Sequence, residues 1–286
     1  MRRPALRYHG GKWRIAPWII SQFPPHTCYV EPFGGGASVL LRKPRSYLEV
    51  YNDKNEEVVN FFQVLRERTE EFIQAVELTP FSRLELARAY EWTGDKFERA
   101  RRFYLRAWQA RGGPRTLWKT GWRFQRSNAR GKRAVDDWRD VGHLRDTVER
   151  LREVQIECDE AMAVIERYDA PRTLFYLDPP YLAGTRSNRW RNCAYGPGCE
   201  MSDDDHRALA RAVARVEGMV IVSGYRSELY EELYAGWVRK EKVTRSDANT
   251  ETMECLWISP RVREALLPLF AGAGSGEDTD YRTGAD

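Results

Sequence analysis

Short apolar runs alternate with amphipathic and polar stretches along this chain, and the alternation predicts strands interleaved with helices. The most compact run is Thr173-Leu174-Phe175-Tyr176-Leu177, a buried strand that Asp178-Pro179-Pro180-Tyr181 ends abruptly. Cys28-Tyr29-Val30 and Tyr47-Leu48-Glu49-Val50-Tyr51 read as two earlier strands. Val154-Gln155-Ile156-Glu157-Cys158 and Met219-Val220-Ile221-Val222-Ser223 read as two more, and residues 237–243 and 254–259 as a final pair. Residues 13–22 predict an amphipathic helix stopped by Pro24-Pro25. Further helices are expected after Val58, between Asp159 and Tyr168, and from Ser202 to about residue 216, where Ser202 and Asp205 resemble a capping box. Residues 60–152 read as helical and polar, without convincing strands. The polar loops 183–200, with Arg186, Arg189 and Arg191, and 245–252 are long enough to touch a substrate. Residues 272–286 are small and polar and predict a disordered tail.

Composition adds modest bounds. A chain of 286 residues with 42% hydrophobic and 12% aromatic residues has ample core for one large domain or a domain with a substantial insertion. The net charge of +4 is only mildly basic, so a nucleic-acid surface must come from local clustering. The basic residues are mostly arginine, which suits phosphates, although genomic base composition produces the same bias. Five cysteines without a CxxC pair suggest reduced thiols in a cytosolic protein with no structural zinc. The start leads into polar sequence and no apolar run reaches membrane-spanning length, so neither a signal peptide nor a membrane span is expected.

Three motifs carry chemistry. Asp178-Pro179-Pro180-Tyr181 puts a carboxylate, a rigid turn and an aromatic ring at the carboxyl end of a strand, the edge where open α/β sheets bind ligands. Asp178 can accept a hydrogen bond from an amino group, and Tyr181 offers a face for a base. A strand followed by an ordinary Pro-Pro turn explains the tetrapeptide equally well. Tyr8-His9-Gly10-Gly11-Lys12 allows close backbone approach beside a charge, but Trp13 stands where a P-loop needs Ser or Thr. Glu31-Pro32-Phe33-Gly34-Gly35-Gly36-Ala37 reads as a glycine turn between a strand and a helix start, where a cofactor can meet a helix N-terminus. Val39 occupies the third glycine position of a dinucleotide fingerprint, which disfavours a nucleotide-dependent oxidoreductase. Asn52-Asp53 ends the second strand, where an acid binds ribose hydroxyls or caps the next helix. Asp159 stands in a comparable place after the third.

Residues 99–133 carry twelve basic side chains and no acid, interleaved with Phe103, Tyr104, Trp108, Trp118, Trp122 and Phe124, and Gly112-Gly113-Pro114 breaks the stretch into a helix and a loop. The single sign of charge and the aromatics favour nucleic-acid contact over a solvated face. Arg115, Lys119, Arg123, Arg126, Asn128, Arg130 and Lys132 are the candidate DNA contacts.

Together, and in this order, Tyr8 to Lys12, Glu31 to Ala37 and Asp178 to Tyr181 resemble the Dam-like family of adenine-N6 DNA methyltransferases, over about residues 5–260. The resemblance implies an α/β fold: a Rossmann-like, mostly parallel seven-stranded methyltransferase sheet with an inserted helical DNA-recognition domain. It divides the chain into a catalytic part (1–59 and 153–271) and a recognition insert (60–152). It implies S-adenosylmethionine as cofactor, contacted by Tyr8, Lys12, Glu31, Asp53 and Asp178. The loop Phe33-Gly34-Gly35-Gly36 would enclose its methionine end, and Asp159 its adenine. Asp178, Pro179, Pro180 and Tyr181 are the implied catalytic residues, holding and stacking on an adenine flipped from double-stranded DNA. The family often has glycine where Ala37 stands, and often Trp where Tyr8 stands. No metal is implied. A cytoplasmic monomer is expected, with a cognate restriction endonuclease left open as a partner. The residues alone also admit an RNA or cytosine amino-methyltransferase, or a non-catalytic nucleic-acid-binding protein on the same fold.

Overall fold

The computed structural model describes residues 1–114, 119–125, 133–185, 199–245 and 251–271. The predicted tail 272–286 and Arg186, Arg189 and Arg191 lie outside them.

Seven strands form one sheet in the order β3-β2-β1-β4-β5-β7-β6. In chain order they are β1 (Cys28–Glu31), β2 (Leu48–Asn52), β3 (Val154–Glu157), β4 (Thr173–Leu177), β5 (Met219–Tyr225), β6 (Val238–Arg245) and β7 (Glu251–Ile258). The first five are parallel, whereas β7 runs antiparallel to both β5 and β6. The mostly parallel seven-stranded expectation holds, and β6 and β7 reach further into the 245–252 loop than their apolar content suggests. The edge strand β6 carries Arg239, Lys240, Glu241 and Lys242, which discourages pairing with another sheet.

Eleven helices are described: α1 (Ala16–Ile20), α2 (Glu56–Glu67), α3 (Thr69–Leu78), α4 (Arg83–Arg88), α5 (Lys96–Gln109), α6 (Ala134–Arg139), α7 (His143–Leu151), α8 (Ala161–Arg167), α9 (Asp203–Val213), α10 (Glu228–Leu233) and α11 (Pro260–Ala271). Side-chain caps set several starts. Asn55 accepts from the Glu57 amide and opens α2, Asp95 accepts from Phe97 and Glu98 and opens α5, and Ser202 and Asp205 close the expected capping box at α9. Helix α1 is shorter than residues 13–22.

One sequence expectation fails locally. No regular helix follows the glycine loop. The Leu41 amide bonds the Ala37 carbonyl at 3.0 Å, the Lys43 amide bonds Val39 at 3.0 Å, and the chain then meets Pro44. Ala37 enters this turn at φ 53°, a left-handed conformation that interrupts right-handed propagation at its first residue.

Strand alternation divides the sheet into two faces. Val30, Val50, Phe175, Leu177, Val220, Val222, Cys255 and Trp257 pack with residues of α8, α9 and α10. Tyr29, Tyr51, Leu174, Tyr176, Ile221, Leu256 and Ile258 share a single cluster with α1 and the helices between β2 and β3. Within it Phe61 of α2 stacks on Tyr104 of α5 at 5.9 Å, and Phe62 meets Tyr51 of β2 edge-on at 5.2 Å.

The acid-free character of residues 99–133 does not survive folding. Arg99 pairs with Glu57 at 2.5 Å, and Arg101 and Arg102 both pair with Glu98 at 2.7 Å. These arginines belong to the packing of α5 against its neighbours. Ala110 and Trp122 form an isolated antiparallel bridge, and Lys119 is exposed.

Candidate active site

Strand order reverses between β1 and β4, and the crevice beyond their carboxyl ends is where such sheets accommodate ligands. A cavity of about 280 Å³ lies there, lined by Tyr8 to Lys12, Glu31 to Gly36, Asp53 to Asn55, Glu160 to Met162, Tyr176, Asp178, Pro180 and the stretch Cys199 to Met201. Of the predicted cofactor set, Tyr8, Lys12, Glu31, Phe33, Gly34, Gly35, Gly36, Asp53 and Asp178 all line it. Asp159 does not. Its carboxylate pairs with Arg167 at 2.8 Å, while its neighbours Glu160, Ala161 and Met162 face the cavity.

Backbone approach explains the glycines. A Cβ on Gly34 would sit 2.2 Å from the Tyr51 ring and 2.9 Å from the Asn52 carbonyl. A Cβ on Gly36 would sit 2.9 Å from the Tyr8 Cβ. The loop is therefore a thin wall pressed between Tyr8 and Tyr51, and the Tyr51 hydroxyl pins it by donating to the Gly35 carbonyl at 2.8 Å. Asn52 ties three strand ends together. Its amide donates to the carbonyls of Pro32 (2.8 Å) and Asp159 (3.0 Å), and its Oδ1 accepts from the Asp159 amide at 2.9 Å. Sequence reading passed over this role; a polar residue closing an apolar strand was the available signal.

Two carboxyls in the wall are perturbed. Asp53 accepts from the Gly35 amide at 2.7 Å and the Asn55 amide at 2.8 Å, and burial pushes its carboxyl up to about 6. Glu31 accepts from the Tyr29 hydroxyl at 2.6 Å, and burial pushes it up to about 8, so it carries its proton at neutral pH. Asn55 caps α2 while Asp53 faces the cavity, which divides the two roles that the sequence left together.

At the far end of the cavity Lys12, 5% exposed, meets Asp178 with Nζ 2.9 Å from Oδ2. The same Nζ donates to the Gly10 carbonyl at 2.6 Å and lies 4.7 Å from the centre of the Tyr181 ring. Asp178 Oδ1 is buried without a hydrogen-bond partner among the described residues. Pro180 lines the cavity; Pro179 and Tyr181 do not. The Tyr181 ring is 6% exposed, with its hydroxyl donating to Glu254 at 2.8 Å and Tyr225 edge-on at 4.6 Å.

Of the predicted DNA contacts, Arg115, Arg126, Asn128, Arg130 and Lys132 lie outside the described residues. Lys119 is exposed. Arg123 donates to the Trp108 carbonyl at 2.8 Å and pairs with Asp137 at 3.2 Å. Nearby, Phe81, Trp122 and Phe124 form a ring cluster with Arg83 over both Trp122 and Phe124. Among the described residues no group of His, Cys, Asp and Glu is arranged to hold a metal ion, and no helix is long and apolar enough to cross a membrane.

Several known proteins are similar to this chain. The DNA adenine methylase of Escherichia coli K12 is 28% identical over 105 residues, 37% of each chain. That of Salmonella typhi is 33% identical over 73 residues, 26% of each chain. The matched segments thus span about a quarter to two fifths of those relatives. The DNA adenine methylase of Haemophilus influenzae is 24% identical over 261 residues, 85% of this chain and 87% of that protein. The model of the D12 class N6 adenine-specific DNA methyltransferases matches residues 8–251, from the first cavity-lining tyrosine to the start of β7. With the glycine wall, Lys12 and Asp178 all inside that span, the chain belongs to the D12 class N6 adenine-specific DNA methyltransferase family.

Proposed function

We propose that this protein methylates the N6 amino group of adenine in DNA, with S-adenosylmethionine as methyl donor. The observation that carries the reading is Asp178, a carboxylate paired on one oxygen with Lys12 and without a hydrogen-bond partner among the described residues on the other, at the end of a cavity walled by glycines. The residues fit the donor. The thin wall of Gly34 to Gly36 admits close approach of its methionine end, Asp53 offers acceptors to ribose hydroxyls, and Phe33, Ala161 and Met162 offer apolar contact to a base. When bound, S-adenosylmethionine supplies a methyl group on a positively charged sulfur.

The work of this chain is positioning. An exocyclic amine delocalises its lone pair into the ring and is a poor nucleophile. Asp178 accepts one amino hydrogen and a carbonyl of the Pro-Pro turn the other, which favours a tetrahedral nitrogen with its lone pair turned into the cavity. The proton released when nitrogen gains carbon passes to the Asp178 carboxylate or to water. A stacked base cannot reach this pocket, so the adenine must leave the duplex, at a cost of a few kcal/mol. Residues 60–152 serve as the target-recognition part and 1–59 with 153–271 as the catalytic part. Lys119 and Arg123 contribute to the DNA surface together with Arg115, Arg126, Asn128, Arg130 and Lys132.

Incubation with labelled S-adenosylmethionine and unmethylated genomic DNA, followed by nucleoside analysis, tests the reading. Label in N6-methyl-2′-deoxyadenosine is expected. Label in cytosine overturns the target base, and no label in DNA together with label in structured RNA offered in a parallel reaction overturns the polymer.

A further inference from the structure

The alternation of the sheet places one more carboxylate beside the Lys12–Asp178 pair. On β7, Leu256 and Ile258 face the cluster that contains Tyr176 and Ile221, and Glu254 shares their parity. Asp178 continues the parity of Tyr176 on β4, and Ser223 that of Ile221 on β5. Glu254 is thus a buried acid, 7% exposed, where the strand pattern calls for an apolar residue. It accepts the Tyr181 hydroxyl at 2.8 Å, with Ser223 Oγ at 3.4 Å from the same hydroxyl. The chain of contact continues from the Tyr181 ring to Lys12 Nζ, 4.7 Å from its centre, and from Nζ to Asp178 at 2.9 Å.

Stability alone does not account for this acid. Burying a carboxylate is costly, and an apolar pair of matching shape at 181 and 254 would serve the core as well or better. Burial raises the Glu254 carboxyl above its ordinary value, with Lys12 opposing the shift and Asp178 adding to it, so these three groups share one field.

We propose that Glu254 is a positioning residue for methyl transfer: by accepting the Tyr181 hydroxyl it fixes the ring against which Lys12 rests, and so fixes the oxygen of Asp178 that receives the amino group. The proposal rests on the methyltransferase reading above. Without this hydrogen bond the hydroxyl end of the ring can shift sideways, Lys12 loses a constant floor, and the carboxylate loses its register by up to about 1 Å, a displacement that matters for a positioned reaction.

The experiment compares kcat, KM for S-adenosylmethionine and thermal melting for the whole chain and for Glu254→Gln, Glu254→Leu, Tyr181→Phe and the Tyr181→Phe/Glu254→Leu double variant. Glu254→Gln keeps an oxygen acceptor for the Tyr181 hydroxyl and should keep kcat within about threefold. Glu254→Leu and Tyr181→Phe should each lose kcat by about 10- to 100-fold, the scale of a misplacement near 1 Å, with KM for the cofactor little changed. The double variant should be no worse than either single, as expected for residues acting through one hydrogen bond. Undiminished kcat in Glu254→Leu or in Tyr181→Phe overturns the proposal, as does Glu254→Gln falling as far as Glu254→Leu. Should Glu254→Leu fail to fold, the isosteric Glu254→Gln and Tyr181→Phe variants decide alone. Absence of transfer by the unaltered protein to any DNA removes the methyltransferase reading itself, a result distinct from transfer that ignores Glu254.

Discussion

Gly34→Ala is the sharpest test of the glycine wall. The new methyl would lie 2.2 Å from Cε2 of Tyr51 and 2.9 Å from the Asn52 carbonyl oxygen. Neither obstacle is a flexible side-chain end. Tyr51 is fully buried, leans on Phe62 at 5.2 Å and donates to Gly35 at 2.8 Å. The Asn52 carbonyl already accepts the Gly34 amide at 2.7 Å. Ordinary contact therefore requires ring or loop to move by about 1 Å, and overpacking of this kind costs about 1–3 kcal/mol. If the Tyr51–Gly35 hydrogen bond breaks as well, the buried hydroxyl adds about 1–3 kcal/mol. Chemical denaturation should show a stability loss of about 1–3 kcal/mol if the hydrogen bond survives and about 2–6 kcal/mol if it breaks. Calorimetric titration with S-adenosylmethionine should show affinity weakened by about 10-fold or more, because a wall moved by an ångström no longer fits. Gly142→Ala is the control, since its Cβ would meet nothing within 4 Å. Gly34→Ala with unchanged stability and unchanged affinity would show that the wall is neither packed nor used as described.

Three further outcomes follow from the electrostatics. Glu31 holds its proton up to about pH 8 in the folded chain against about 4.5 when unfolded, so stability falls as pH rises across that window, by up to about 1.4 kcal/mol per pH unit; Glu31→Gln should flatten this slope in denaturation measured from pH 5 to 8. Asp53 protonates at about 6 and then loses an acceptor lone pair, so affinity for S-adenosylmethionine should weaken by up to tenfold per unit as pH falls below about 6, and Asp53→Asn should bind more weakly at pH 7.5 but with little pH dependence. Lys119→Glu should weaken DNA binding and lower the salt dependence of log K by about 1, read by fluorescence anisotropy at several salt concentrations.

Much of this site was legible because its local chemistry is dense. Two prolines just after a run of five buried residues mark a strand end whatever the fold, and the seven segments read as strands correspond to the seven strands of the sheet. What escaped depends on distance in sequence. The arginines of α5 read as a one-signed surface because Glu57 lies outside the counted window and Glu98 sits one residue before it. Ala37 predicts a helix start by propensity, whereas the packing of Gly36 and Gly34 against Tyr8 and Tyr51 commits it to a left-handed turn. Glu254 is an acid in an eight-residue strand, and only its parity with Leu256 and Ile258 separates it from a solvent-facing residue.

Asp178→Asn keeps the shape of the side chain and removes the carboxylate, so it isolates the group proposed to receive the adenine amino group. Single-turnover transfer to an oligonucleotide duplex containing the recognised adenine should fall by about 100-fold or more, the scale of losing a preorganised electrostatic contact. Calorimetric affinity for S-adenosylmethionine and anisotropy-measured affinity for DNA should each stay within about threefold. Transfer near the unaltered rate in Asp178→Asn would contradict the assignment of Asp178 as the acceptor of the adenine amino group.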